Sequence, residues 1–253
     1  MKIPVSVVVI TKNEEKNIRD ALESVKDFEE IIIVDSFSED KTLEMCREYT
    51  DKIFQYEWQG FAKQKQLAID KTTLPWVLVL DADERVTKGL KNEILEKIKD
   101  DKDGYFIPRK NFFLNRWIKH SGWWPDYTLR LFKKDRGKMQ QREVHEKIIV
   151  DGKIGYLREP IIHYTYYSLN DFIKKMQIYA SLSAEEIFKF TPSKTKIILK
   201  MTFSPFFTFF KMFILRLGFL DGLRGFILAV LYSFYSFLKY AKVWEKYGNR
   251  KTV

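Results

Sequence analysis

Cysteine is nearly absent. Cys46 stands alone among 253 residues, which excludes an internal disulfide and suits a reducing compartment. The chain opens directly on a strand-like run with no charged-then-apolar leader, so a protein made and kept in the cytoplasm is expected. The turn after that run, TKNEEKN, holds no glycine. That removes the G-x-G-x-x-G dinucleotide loop and the P-loop, whose backbone amides cradle phosphate. Long apolar stretches are missing as well: the longest uncharged run after Pro192, residues 225–238, is shorter than the ~20 residues of a membrane span. Acidic residues are scarce in the same stretch. Residues 191–253 hold eleven Lys and Arg against only Asp221 and Glu245, so most of the formal net charge of +10 sits there. Such a skew marks a tail that meets an anionic surface, either nucleic acid or lipid.

What is present begins with strands. IPVSVVVI (3–10), EIIIVD (30–35) and WVLVLD (76–81) are continuous apolar runs, as expected of strands covered on both faces, and KIFQY (52–56) is a weaker one. Helical periods fall between them. Ile18, Ala21, Leu22, Val25 and Phe28 follow Asn13, which is placed to cap them; SEDKTLEMCREY (38–49) carries Cys46 as a core residue. FAKQKQLAID (61–70) follows Gly60, and 88–99 sets Leu90, Ile94, Leu95 and Ile98 on one side. This alternation predicts an α/β fold with a parallel sheet and right-handed crossovers. Residues 104–165 turn to short β-like pieces rich in aromatics, and 168–188 reads as a helix with Ser168 and Asp171 spaced for a capping box.

Polar residues collect at the carboxyl ends of the strands: Thr11 and Asn13, Asp35 and Ser36, then Asp81 and Asp83. In open α/β sheets that edge holds ligands. The run LPWVLVLDADERV ends in Asp81, Asp83 and Glu84, like charges that repel and lose hydration unless something positive compensates. A solvated loop with one acid capping the next helix is one explanation. A Mg²⁺ or Mn²⁺ ion on Asp81 and Asp83 is the other, and it would supply the charge that a glycine-free loop cannot give a diphosphate.

The tail after Pro192 is aromatic and apolar but broken by charge, with Lys239, Lys242 and Lys246 at i, i+3 and i+7 on one face of a terminal helix. Helices lying in the membrane interface are expected, aromatics at headgroup level and lysines toward anionic phosphates. A soluble helical cap or a Phe-rich dimer interface is the alternative. Nucleic acid is not an expected partner, because its tails interleave positive charge with polar residues rather than Phe-Leu-Ile runs.

With these residues in view, the sequence resembles the family 2 glycosyltransferases of the GT-A fold. VSVVVITKNEEKNI, IIIVDSFSED, GFAKQKQLAI and LVLDADERV carry the resemblance, the last with the Asp-x-Asp motif as Asp81-Ala82-Asp83. GWWPDYTLRLFKK, VHEKIIVDG and GFLDGLRGFILAVLYSFYSFLKYAKVWE are similar to a narrower group, the β-1,4-glucosyltransferases acting on inner-core heptose of lipopolysaccharide and lipooligosaccharide. Phe37 stands where relatives usually have glycine, and Gln66 where the narrower group often has Asn.

The resemblance implies a Rossmann-like, mainly parallel sheet flanked by helices, with a catalytic domain over 1–190 and a membrane-associating tail over 191–253. Within the catalytic domain, 1–100 would bind the nucleotide sugar and 101–190 the acceptor. It implies a UDP-sugar donor, a lipid-linked saccharide acceptor and an inverting, metal-dependent transfer on the cytoplasmic face of the membrane. Thr11, Asn13 and Glu14 would line the nucleoside pocket, and Asp35 would accept a hydrogen bond from the base. Lys65 would face that pocket or the diphosphate, or else be a solvated helix residue. Asp81 would contact ribose or metal, Asp83 the metal, and His145 could complete its shell. Arg130 would meet the diphosphate or acidic groups of the acceptor. Glu146, ahead of Asp126, is the expected general base. Trp123 and Trp124 could stack on a sugar or be core. His163 reads as structural, and His120 has no assigned role.

Overall fold

The β-branched runs are strands, and their alternating side chains divide the core. A computed structural model describes residues 2–140, 147–190 and 193–249. In chain order it begins with β1 (Ile3–Thr11), α1 (Ile18–Glu23), β2 (Phe28–Asp35), α2 (Thr42–Arg47), β3 (Ile53–Gln55), α3 (Phe61–Asp70) and β4 (Trp76–Asp81). β5 (Glu84–Val86), α4 (Lys88–Lys97), β6 (Gly104–Phe113), β7 (Arg116–Trp117), β8 (Asp126–Lys133), β9 (Gly137–Gln140) and β10 (Lys147–Val150) follow. The chain continues with β11 (Ile154–Tyr156), β12 (Ile161–Tyr166), α5 (Leu169–Lys189), α6 (Lys194–Phe210) and α7 (Leu223–Asn249).

The sheet runs β3-β2-β1-β4-β8-β6-β12-β5 among the described residues. β3, β2, β1 and β4 are parallel, joined by helical crossovers as the alternation predicts, while β8 returns antiparallel against β4 and β6 against β8. Odd residues of β1 (Val5, Val7, Val9) share one face with Ile31, Ile33, Leu78 and Leu80, under Ile18 and Leu22 of α1 and Leu90 and Ile94 of α4. The other face sets Val8, Ile32, Val34, Val77 and Val79 against Ala62, Ala68 and Ile69 of α3. Each such side chain contributes roughly 1.5–3 kcal/mol on burial, which is why these strands hold their register. Cys46 sits in the first cluster, and burial pushes its thiol up to about 12, so it is inert core.

Packing divides the chain into one unit of Met1–Lys110 with Asp126–Tyr164 and another of Asn111–Pro125 with Thr165–Val253. Residues 111–125 and α5 share an aromatic core with α7, built on Phe113, Ile118, Trp123, Phe172, Met176 and Leu228. The shift at Pro192 is one of surface character; the core of this second unit is continuous across it.

One local expectation changes and another holds. Asn13 does not cap α1: its φ is 55°, its side chain accepts from Glu39 N–H at 2.8 Å, and α1 starts later, at Ile18. Asparagine tolerates that left-handed backbone better than most residues. At α5, Ser168 Oγ does accept from Asp171 N–H at 3.1 Å, as the capping spacing requires.

The C-terminal helices are longer than the uncharged runs indicated. Lys194–Leu215 and Leu223–Tyr247, 22 and 25 residues, are long and apolar enough to cross a membrane by length and composition. Continuous helix carries them past Lys211 and Lys239. Little of either is buried: Phe203, Phe206 and Phe207 are 62%, 74% and 62% exposed. The lysine face of α7 does not point wholly outward. Lys242 Nζ donates to Ser181 Oγ at 2.9 Å, and Lys246 lies 3.5 Å from Glu185, both on α5.

Candidate active site

β1, β2 and β4 end together. Thr11 pairs with Asp35 across β1 and β2, and Ile10 pairs with Asp81 across β1 and β4. The parallel register therefore brings three polar strand ends to one edge, as the sequence pattern indicates.

Asp35 is fully buried, and its carboxylate is occupied by protein. Oδ1 accepts from Thr11 Oγ1 at 2.9 Å and Ser38 Oγ at 2.5 Å; Oδ2 accepts from Ser38 N–H at 2.9 Å and Gln55 Nε2 at 3.3 Å. These bonds hold the turn that follows β2. Phe37 in that turn takes a φ of 55° with its ring 47% exposed, so the left-handed geometry is kept without glycine. Thr11 is buried beside Asp35, Asn13 is exposed, and Glu14 is half-buried with Asn17 Nδ2 donating to its Oε2 at 2.9 Å.

The acidic knot has its compensating charge. Lys65 Nζ lies 2.8 Å from Asp81 Oδ1, and Arg130 Nη2 donates to Asp81 Oδ2 at 2.5 Å and to Glu84 Oε1 at 2.7 Å. Lys65 is 4% exposed and Arg130 6%, so neither is a solvated surface residue. Burial works to raise the Asp81 pKa, but the charges of Arg130 and Lys65 outweigh it and hold the carboxyl well below its ordinary range. Glu84, fully buried, also accepts from Asp81 N–H at 2.9 Å and has Arg109 Nη1 at 3.8 Å. Arg109 in turn donates through Nε and Nη2 to Asp126 Oδ2 at 3.0 and 2.7 Å. Lys65, Asp81, Arg130, Glu84, Arg109 and Asp126 thus form one chain of alternating charge. Sequence reading missed the roles of Glu84 and Arg109. Glu84 was visible in the acidic run, whereas Arg109 lies on a strand with no distinguishing pattern.

Asp83 has His163 Nε2 at 3.5 Å from its Oδ2 and its side chain is 21% exposed. Its backbone carbonyl accepts from Tyr164 N–H at 3.0 Å, which ties the β4–β5 turn to β12. Both Asp81 oxygens are engaged by cations. Among the described residues no three His, Cys, Asp or Glu side chains cluster to form a metal cage. His145 and Glu146 lie outside the described residues.

Trp123 is core: it is 8% exposed and rings Phe113, Tyr166 and Tyr232 surround it. Trp124 is half-buried and meets Trp117 edge-on at 5.4 Å. His120, unassigned from sequence, has its Nδ1 3.3 Å from Asp221.

Residues 6–165 match the family model described as Glycosyl transferase family 2. The chain belongs to that family. This family 2 glycosyltransferase is 30% identical over 256 residues to the lipopolysaccharide core biosynthesis glycosyltransferase LpsC of Rhizobium meliloti (strain 1021), across 98% of this chain and 94% of that protein. It is 29% identical to an uncharacterized glycosyltransferase of Rickettsia felis, across 98% and 92%. Among solved structures, S. aureus TarS 1–349 in complex with UDP-GlcNAc aligns with a TM-score of 0.48 and 18% identity, across 99% and 92%.

Proposed function

We propose that the protein transfers a hexose, glucose from UDP-glucose, to a lipid-linked saccharide such as inner-core heptose during lipopolysaccharide synthesis, with inversion at the anomeric carbon. The observation that carries this reading is the Lys65–Asp81–Arg130 cluster at the carboxyl ends of the parallel strands, in a chain that belongs to the glycosyltransferase family. Similarity to LpsC along nearly the full length supports the lipopolysaccharide acceptor.

The chemistry follows from what each group can do. Lys65 and Arg130 hold buried positive charge at the edge where a diphosphate would leave, preorganised by Asp81 and Glu84, so little reorganisation accompanies the charge that develops there. A Mg²⁺ or Mn²⁺ ion held by Asp83 would add Lewis-acid stabilisation of that leaving group. The attacking acceptor hydroxyl needs a base within hydrogen-bond reach; Glu146 is our first candidate and Asp126, oriented by Arg109, the second. The exposed Phe face of α6 and the basic tail support peripheral attachment to the cytoplasmic face of the membrane.

A second reading keeps the transfer and changes the acceptor to a polyprenyl phosphate or another glycolipid. The two C-terminal helices of spanning length favour it. One assay separates them: UDP release from UDP-glucose with Mn²⁺, in parallel with heptose-terminated lipooligosaccharide and with polyprenyl phosphate. Turnover with the first alone is expected, and turnover with the second alone overturns the heptose assignment. No release from any sugar nucleotide overturns the enzyme reading.

A further inference from the structure

The turn between α6 and α7 is pinned to residues 119–121 by groups that the transfer chemistry does not use. Asp221, 7% exposed, accepts from Lys119 N–H at 3.1 Å and His120 N–H at 2.8 Å, and Ser121 N–H donates to the Arg216 carbonyl at 2.9 Å. Gly218 makes the approach possible, because a Cβ there would fall 2.5 Å from Ser121 Oγ. Beside this clamp lies a cavity of about 410 Å³ lined by Lys119, His120, Trp124 and Arg216, with Leu215 and Leu217 among its walls.

Three features of this cavity point to one ligand chemistry. Two cations, Lys119 and Arg216, line it with no carboxylate among the lining residues, and Asp221 of the adjoining clamp is committed to backbone N–H groups. That leaves positive charge for an anion. Trp124 is an amphipathic ring of the type that sits at headgroup level in membranes. Beside the cations, exposed Leu215 (61%) and Leu217 (46%) line the cavity, and Leu220 (56%) and Leu223 (72%) are exposed further along the same turn and at the start of α7. A soluble phosphate would meet the cations and leave these groups in water, whereas a phospholipid satisfies both, phosphate inside and acyl chains along the apolar rim. The volume suits a small ligand head.

We infer that this cavity is a binding site for the phosphate headgroup of an anionic membrane lipid. Arg216 and Lys119 neutralise the phosphate, and Leu215, Leu217, Leu220 and Leu223 enter the acyl layer. The inference rests on the membrane reading of the tail and adds to it a discrete site in place of diffuse attraction.

Calorimetric titration of the full chain with monomeric dihexanoyl phosphatidylglycerol tests it. Saturable one-to-one binding is expected, weaker by tenfold or more with dihexanoyl phosphatidylcholine and with glycerol phosphate. Glycerol phosphate binding as tightly as the lipid would assign the site to a soluble anion and overturn the lipid. Lys119→Ala with Arg216→Ala should weaken the lipid at least tenfold, while Lys194→Ala with Lys196→Ala, the same charge removed elsewhere, should change it less than twofold. Equal loss in both pairs overturns the site. Arg216 anchors the turn through its carbonyl, so its side chain can be removed without breaking the clamp, and Arg216→Lys should retain most of the affinity. Sedimentation with phosphatidylglycerol vesicles separates the two levels. Failure of the unmodified chain to sediment defeats the membrane reading itself. Sedimentation that persists with no lipid bound in the titration defeats the cavity alone.

Discussion

Asp81, half-buried, and Asp221, buried, are both carboxylates bonded from two sides, and the protein holds them by opposite means. Asp81 is gripped by two cationic side chains, Lys65 and Arg130, which can exchange one anion for another. Asp221 is gripped by main-chain N–H groups of Lys119 and His120, which stay where the backbone puts them. The difference is between charge met by charge at a strand edge and charge met by backbone dipoles in a turn, the second being a fastening.

Experiments can break or sharpen that contrast. Asp83→Asn should have the largest effect, a fall in kcat of at least roughly a thousandfold with an unchanged melting temperature, read by UDP release. Near-normal turnover would remove metal binding through Asp83. Asp81→Asn should lower turnover by roughly a hundredfold or more and also cost about 3 kcal/mol in urea unfolding, because it removes the carboxylate that Lys65 and Arg130 share and leaves Arg130 only Glu84 of the two anions it bonds here. Loss of one without the other would show that the pair is only a fastening, or only a ligand site.

Glu30 tests a third kind of grip, part cation and part hydroxyl. It is held by Ser6, by Thr73 Oγ1 at 2.7 Å and by Lys52 at 2.5 Å. Burial opposes its ionisation, yet these bonds lower its pKa from 4.5 to about 2. Because the folded value is depressed, its stabilisation is present above pH 4.5 and drains away as pH falls toward 2. Unfolding midpoints measured across that window should lose up to about 3 kcal/mol, and Glu30→Gln should flatten the dependence. Asp221→Ala should cost about 2 kcal/mol by orphaning its donors, and should leave UDP release within twofold. The smallest effect belongs to Phe37→Gly, which relieves a left-handed residue and should stabilise by about 1 kcal/mol, or a few degrees in Tm.

The parallel half was largely legible in sequence because its strands are buried on both faces. β4 and α3 fall where their apolar patterns begin and end, at Trp76–Asp81 and Phe61–Asp70. Thr11, Asp35 and Asp81 could be placed on one edge for the same reason. The partners of Asp81 were less accessible. Arg130 reaches it only because β8 returns antiparallel beside β4, a pairing between residues far apart in sequence that no local period encodes. Lys65 reads equally well as a solvated helix face until α3 is packed on the sheet. Asn13 shows the limit of short motifs: an amide before an apolar period resembles a cap, and here it bridges to the next loop instead. Asp221 was visible as an isolated acid in a basic tail, but nothing nearby in sequence named residues 119 and 120 as its donors.

The inward contacts of the tail lysines bear on how the protein should respond to ionic strength. Lys242 bonds Ser181, Lys246 approaches Glu185, and Lys239 and Lys200 lie over the ring of Tyr240 at 5.0 and 5.7 Å. Cations spent on neighbours within the protein are poor attractors for anything outside it. Raising salt should therefore loosen lipid attachment less steeply than a count of basic residues would suggest, with the exposed phenylalanines of α6 setting the part that salt does not touch.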